Sequence, residues 1–231
     1  MKTNGNTILI TGGSAGIGFE LAKQFSKLGN KVVITGRNEE RLKQAASQLE
    51  NVVAIQGDVT NAESTDQLVA QIKEQHPELN MVINNAGYAD VYQLDTNANA
   101  AAKAGQEMET NYLSIVGLTE KLLPTLLKNE NAAVVNVTSI VAYYPQKMLP
   151  TYTASKAALR AYTDVLRDTF EEKLNVFELI PPLVNTDFSK EIGGENGIPP
   201  KEVADELLLA LEKNQWRVPV GMSKDFVQIS N

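Results

Sequence analysis

Short runs of valine, isoleucine and leucine alternate with longer stretches in which apolar residues recur every three or four positions. The runs at Thr7–Thr11, 31–35, Val52–Gln56, Met81–Asn84, Ala133–Val137 and 176–180 are continuous rather than alternating. That pattern suits strands covered on both faces in a parallel sheet. Between the first two, Ile17, Leu21, Phe25 and Leu28 repeat at helical spacing and stop at Gly29, a residue suited to the end of a helix. The same period predicts helices over 41–49, 65–72 and 107–127, the last with Pro124 placed to bend it or end it early. Strand and helix in strict alternation predict an α/β fold: a Rossmann-like, doubly wound parallel sheet in three α/β/α layers. No repeat and no linker divides the chain, so a single domain is expected over 1–231. The segment 187–200, "DFSKEIGGENGIPP", interrupts the pattern with glycine and proline just after the last strong strand. A loop of that length is a mobile lid or a disordered connection, and its place outside a strand's carboxyl end favours a substrate lid.

Composition narrows the picture. The 231 residues are 43% hydrophobic and 21% charged, ordinary for a globular chain, and include no cysteine, which excludes disulfides and thiolate chemistry. The net charge of −7 without any basic block argues against nucleic acid, and an anionic ligand would need local cations or helix N-termini. No apolar run approaches the roughly 18 residues of a membrane span, and the start, Met1 to Gly5, has no signal-like stretch. No membrane insertion and a cytoplasmic location are therefore expected.

Chemistry enters at the first strand, which runs directly into "TGGSAGIG", Thr11 to Gly18, and then into a helix. Gly12 permits the tight turn, Gly16 lets the backbone approach a pyrophosphate, and Gly18 lets helix and sheet pack closely. Strand before and helix after are the context a dinucleotide site requires. At the end of the second strand, an acidic residue would accept the ribose hydroxyls of NAD. Here Gly36 and Arg37 stand instead. A guanidinium suits the extra phosphate of NADP, so NADP(H) is expected over NAD(H). Otherwise Arg37 is a solvated residue paired with Glu39 or Glu40. Further on, "YTASK" sets Tyr152 and Lys156 four residues apart, on one face of a helix. Alone, that pair is compatible with surface decoration.

In order along nearly the whole chain stand "TGGSAGIG" at 11–18, "GDV" at 57–59, "NNAG" at 84–87, Asn111, "VTS" at 137–139, "YTASK" at 152–156 and "PPLVNT" at 181–186. Together they resemble the single-domain branch of the short-chain dehydrogenase/reductase superfamily. Within it the chain is most similar to the oxidoreductases associated with D-alanyl-lipoteichoic acid operons. The resemblance implies hydride transfer between a nicotinamide and a small carbonyl or secondary alcohol, by a tetrad of Asn111, Ser139, Tyr152 and Lys156. It also implies cofactor contacts from Ser14, Ile17, Asp58, Val59, Asn84, Ala86, Gly87, Pro181, Val184 and Thr186, beside the glycines and Arg37. Asp58 would meet the adenine, Asn84, Ala86 and Gly87 the ribose side, and Thr186 the nicotinamide or the phosphates. Asn111 would hold a water that links Lys156 to solvent. Pro182 stands where the family usually has glycine. A homodimer or homotetramer is implied, and no metal.

The tetrad explains the Tyr152/Lys156 pair. A phenol titrates near pH 10, too high to cycle near neutrality. An ammonium ~4 Å away, at an effective dielectric of about 20, favours phenolate by roughly 4 kcal/mol, enough to bring the phenol near 7. Tyr152 could then act as general acid and base, with Ser139 holding the substrate oxygen. Tyr143, Tyr144 and Met148, between Ser139 and Tyr152, are candidates for the substrate pocket. His76, Glu171 and Glu172 are expected at the surface and Trp216 in the core. A nucleotide-sugar epimerase shares the Tyr/Lys pair but adds a substrate domain and spaces its glycines differently. A non-catalytic NADP-binding redox sensor would need the glycine loop but neither Ser139 nor Tyr152.

Overall fold

The computed structural model of the chain describes residues 1–227. Seven parallel strands form one sheet: β1 (Thr7–Thr11), β2 (Lys31–Gly36), β3 (Val52–Gln56), β4 (Met81–Asn84), β5 (Ala133–Val137), β6 (Asn175–Ile180) and β7 (Arg217–Pro219). Their order is β3-β2-β1-β4-β5-β6-β7, so the chain starts at the centre, winds outward to β3, and returns past β1 to build the other half. The reversal lies between β1 and β4, where such folds open a crevice at the carboxyl ends of the strands.

Helices α1 (Gly16–Lys27), α2 (Glu39–Ala46), α3 (Ala62–Gln75), α4 (Ala100–Met108), α5 (Ser114–Leu126), α6 (Pro150–Thr169) and α7 (Pro200–Lys213) cover both faces. Neighbouring residues in a strand face opposite ways, which is why the strands are apolar throughout. Ile8, Ile10, Val32 and Ile34 pack with Leu21, Phe25 and Leu207 from α1 and α7. Leu9, Val33 and Val82 pack with Leu68, Ile72, Leu118 and Leu166 from α3, α5 and α6. The three-layer α/β/α architecture is as the pattern predicts.

Three local expectations change. The helix forecast over 107–127 begins at Ala100, because five alanines and glycines give that start no bulky period to read. Between α4 and α5, residues Glu109–Leu113 widen into a π turn, and Pro124 sits inside the last turn without ending it before Leu126. The segment 187–200 has regular turns of its own: Asp187–Ile192 and Gly194–Asn196 are 3₁₀ turns, and α7 starts at Pro200. Trp216 leaves the core, 40% exposed although its ring lies 5.0 Å from that of Phe177. Among the described residues, no helix is long and apolar enough to cross a membrane.

Candidate active site

The loop between β1 and α1 is shaped by its lack of side chains. Gly12 and Gly16 have φ of +67° and +54°, the left-handed region that disfavours other residues. A Cβ on Gly18 would lie 2.4 Å from the Gly12 carbonyl oxygen, so helix and loop touch there. Gly13, which the motif reading passed over, is equally constrained: a Cβ would lie 2.5 Å from Ile34 Cγ2 on β2. Asn85 locks the loop against β4, its Nδ2 donating to the Thr11 carbonyl at 2.9 Å. The Thr11 hydroxyl accepts from the backbone N–H of Asn85 and Ala86, each at 3.0 Å. Ala15 caps α1 without a side-chain hydrogen bond, which leaves the first N–H groups of the helix to an incoming anion. Ser14 and Ile17 lie half-buried in the same loop. These features fit a pyrophosphate.

Arg37 emerges exposed at the end of β2. Among the described residues it has no carboxylate partner, since Glu39 pairs with Lys43 at 2.6 Å and Arg41 reaches Asp187 at 3.5 Å. Asp58 turns one oxygen into its own bend, accepting from the Thr60 N–H and hydroxyl at 2.9 and 2.7 Å, and Val59 is half-buried beside it. Asn84 departs from its expected place. Its side chain is buried within the sheet, donating to Asn136 Oδ1 at 2.8 Å and to the Thr119 hydroxyl at 3.3 Å, so only its backbone can face a ribose. Ala86, Gly87, Pro181, Val184 and Thr186 do line the cleft, and Thr186 stands opposite Gly16.

The tetrad residues come from separate elements and converge. Ser139 follows β5 and opens a 3₁₀ turn, its hydroxyl accepting from the Val141 N–H at 3.3 Å. Tyr152 and Lys156 lie one turn apart on α6, both buried. Lys156 Nζ donates to the Val137 carbonyl at 2.9 Å and stands 5.7 Å from the centre of the Tyr152 ring. Asn111, in the π turn, is held on every side: Nδ2 donates to the Tyr88 carbonyl and to the Ser155 hydroxyl, and Oδ1 accepts from the Tyr88 N–H. Asn111 Oδ1 and Lys156 Nζ meet across Gly87, where a Cβ would sit 3.4 and 3.9 Å from them.

Burial reverses the expected electrostatics. It pushes the Tyr152 phenol up from its ordinary value, the charge of Glu107 adds to the rise, and the Ser139 hydrogen bond opposes it. It also pushes the Lys156 ammonium down to about 8. A phenol near 7 is therefore not a property of this pair alone. Taking both groups out of water disfavours the charged form of each.

Glu107 itself was not legible as a site residue. Four residues before Asn111 and wholly buried, it accepts from the Asp90 N–H at 2.9 Å through Oε1, while Oε2 has no partner. Its spacing from Asn111 was the available signal; its burial was not.

Tyr143 is a second correction. It turns away from the cleft, donating to Glu178 Oε2 at 2.7 Å beneath the Arg160 guanidinium, whose carbon lies 4.2 Å from the ring. Tyr144 and Met148 do line the cleft, which encloses about 670 Å³ between the glycine loop and the tetrad. The Asp187–Ile192 turn closes one side, with the Phe188 ring 6.0 Å from that of Tyr152. A second hollow of about 650 Å³, lined by Asn129, Glu171, Glu172 and Trp216 among others, contains none of the tetrad.

The family model for short chain dehydrogenases matches residues 6–197. An uncharacterised oxidoreductase of Bacillus subtilis, DltE, is 37% identical over 207 residues, spanning 89% of this chain and 82% of its own. Serine 3-dehydrogenase of Agrobacterium fabrum is 34% identical over 87% of this chain and 79% of its own. Among solved structures, a short chain dehydrogenase from Burkholderia cenocepacia in complex with NADP superposes with a TM-score of 0.87 at 27% identity, covering 97% of this chain and 92% of that one.

Proposed function

The chain belongs to the short-chain dehydrogenase family, and on that premise we propose that it reduces a carbonyl compound with NADPH, or oxidises the matching secondary alcohol with NADP. The observation that carries the proposal is the convergence of Ser139, Tyr152 and Lys156 in one wall of the cleft that the glycine loop opens. A nicotinamide cofactor, held by the glycine loop, would supply or accept the hydride when bound.

The chain's own residues manage the oxygen. A carbonyl oxygen placed between the Ser139 and Tyr152 hydroxyls receives two hydrogen bonds, which stabilise negative charge as it develops there. Tyr152 then gives its proton to that oxygen. Burial, which holds the phenol protonated at neutral pH, suits this direction. Lys156, whose ammonium titrates near 8, can return a proton to the phenolate, and its bond to the Val137 carbonyl fixes Nζ beside the ring. Asn111, clamped by Tyr88 and Ser155, ties the π turn to α6 and to the loop after β4 beside Lys156.

Arg37, exposed and without a carboxylate partner among the described residues, supports NADP over NAD as a forked donor to a phosphate. Asp58, Val59, Ala86, Gly87 and Thr186 would line the remaining length of the cofactor. A homodimer or homotetramer in the cytoplasm completes the proposal, and light scattering on the purified protein tests its assembly.

Following NADPH consumption over a panel of ketones and aldehydes tests the reaction. Catalytic efficiency with NADPH should exceed that with NADH by at least about tenfold, or ~1.4 kcal/mol, and Arg37→Asp should remove the difference. Tyr152→Phe should still bind NADPH but lose at least about a hundredfold in turnover. Equal use of the two cofactors would sink the preference; near-native turnover by Tyr152→Phe would sink the mechanism.

A further inference from the structure

We propose that the carbonyl substrate is neutral and apolar, an aliphatic or aryl ketone or aldehyde whose chain runs from Tyr152 to the mouth of the cleft. The inference deepens the reductase proposal and rests on it.

Three features of the cleft carry it. First, the floor beside Tyr152 is a small apolar cluster of its own, separate from the two sheet cores, in which Val141 and Leu149 pack with Ala89, Val91 and Ile192. Second, the mouth is ringed by large apolar side chains left exposed: Tyr144, Met148, Phe188, Met222 and Phe226. Such residues gathered at one opening mark a surface that something apolar covers. Tyr144 and Phe226 pair at 4.8 Å across it, and Phe188 lies over the Tyr152 ring. The carbonyl at Tyr152 and this ring of side chains lie along one continuous cleft, so the same molecule that reacts at one end covers the other.

Third, the charges are wrong for an acid. Among the described residues that line the cleft, Lys156 is the sole cation, and its Nζ already donates to Val137 on the tetrad wall. The other charged groups that line it are both carboxylates, Glu191 and Asp187, the latter tied to Arg41 on α2 at 3.5 Å. A carboxylate or phosphate on the substrate would lose its water, find no cation among the lining residues beyond Lys156, and meet the carboxylate of Glu191. Of the uncharged polar side chains near the mouth, Gln146 reaches the Tyr144 carbonyl at 3.5 Å and Gln93 donates to the Met148 sulfur at 3.2 Å. The two methionines give the rim flexible thioethers that accommodate chains of different shape.

An isosteric pair tests this: 5-methyl-2-hexanone and 4-oxopentanoate are methyl ketones of the same shape, one ending in a branched alkyl group, the other in a carboxylate. With native protein and NADPH, kcat/KM for the neutral ketone should be at least about a hundredfold higher. Along a series of unbranched 2-ketones, kcat/KM should rise by up to about fourfold per added methylene, the equivalent of ~0.8 kcal/mol, until the chain reaches Tyr144 and Phe226. Met148→Lys supplies the missing cation at the rim and should narrow the gap between the isosteres. Equal efficiencies, or preference for the carboxylate, would overturn the inference while leaving the reductase proposal intact. Calorimetric binding of both compounds to Tyr152→Phe with NADPH separates the remaining case. If no carbonyl compound is turned over yet the neutral isostere binds preferentially, the apolar ligand class stands and the reductase proposal falls. Indifferent binding would overturn the ligand class.

Discussion

Tyr152 and Lys156 occupy successive turns of α6, and burial moves them in opposite directions, the phenol up and the ammonium down to about 8. The raised phenol has a sign that can be read in kinetics. Alcohol oxidation needs phenolate, so without other help its rate should climb with pH through the alkaline range rather than level off near neutrality. Glu107 contributes to the rise through its charge, with Tyr88, Asp90 and Lys103 as its charged or titratable neighbours. Glu107→Gln keeps an oxygen for the Asp90 N–H while removing the charge, so the oxidation profile should move to lower pH. A profile that stays in place would show that Glu107 does not act on the phenol. The Tyr/Lys spacing was legible in the sequence because it is a local helical relation. Its electrostatics were not, because they depend on how completely distant elements exclude water from it. Tyr143 shows the same limit: nearness to Ser139 in sequence suggested the pocket, whereas the side chain answers to Glu178 on β6.

At the scale of elements, six strands were marked by apolar runs, but β7 was not, since three residues that include Pro219 carry too little pattern and are held by pairing with β6. The segment 187–200 is the more instructive case. Its glycines and prolines suggested a mobile lid or a disordered connection, and Ser189 folds it into turns by bonding back to the Thr186 and Val184 carbonyls. Phe188 nevertheless remains exposed, and the segment's tie to α2 is the solvent-exposed Arg41–Asp187 contact. Contacts of that kind contribute little, so opening should be easy. Hydrogen exchange over 187–197 should be fast in the free protein and slow markedly when NADPH and a ketone bind together. Exchange already slow, and unchanged by both ligands, would mean that these turns do not gate the cleft.

For the whole molecule, strand order decides where the chemistry sits. The glycine loop after β1, Ala86 and Gly87 after β4, and Ser139 after β5 become neighbours only because β1, β4 and β5 are adjacent in the sheet. Alternation of strands and helices marked a doubly wound sheet but not its strand order; the glycine loop and the later motifs were legible as site segments, while their meeting in space was not. On the proposed reading, a chain of net charge −7 would bind an anionic cofactor against its own field, and the free N-terminus of α1 together with Arg37 would be the local features that allow it. The most direct test of the proposed reaction follows one atom. NADPH carrying deuterium on the transferable position of the nicotinamide, incubated with the protein and 5-methyl-2-hexanone, should place one deuterium on the carbinol carbon of the product while the hydroxyl proton comes from solvent, and Tyr152→Phe should make almost none of that product. Alcohol formed without deuterium at that carbon, or at an undiminished rate by Tyr152→Phe, would contradict hydride transfer with Tyr152 as the proton donor.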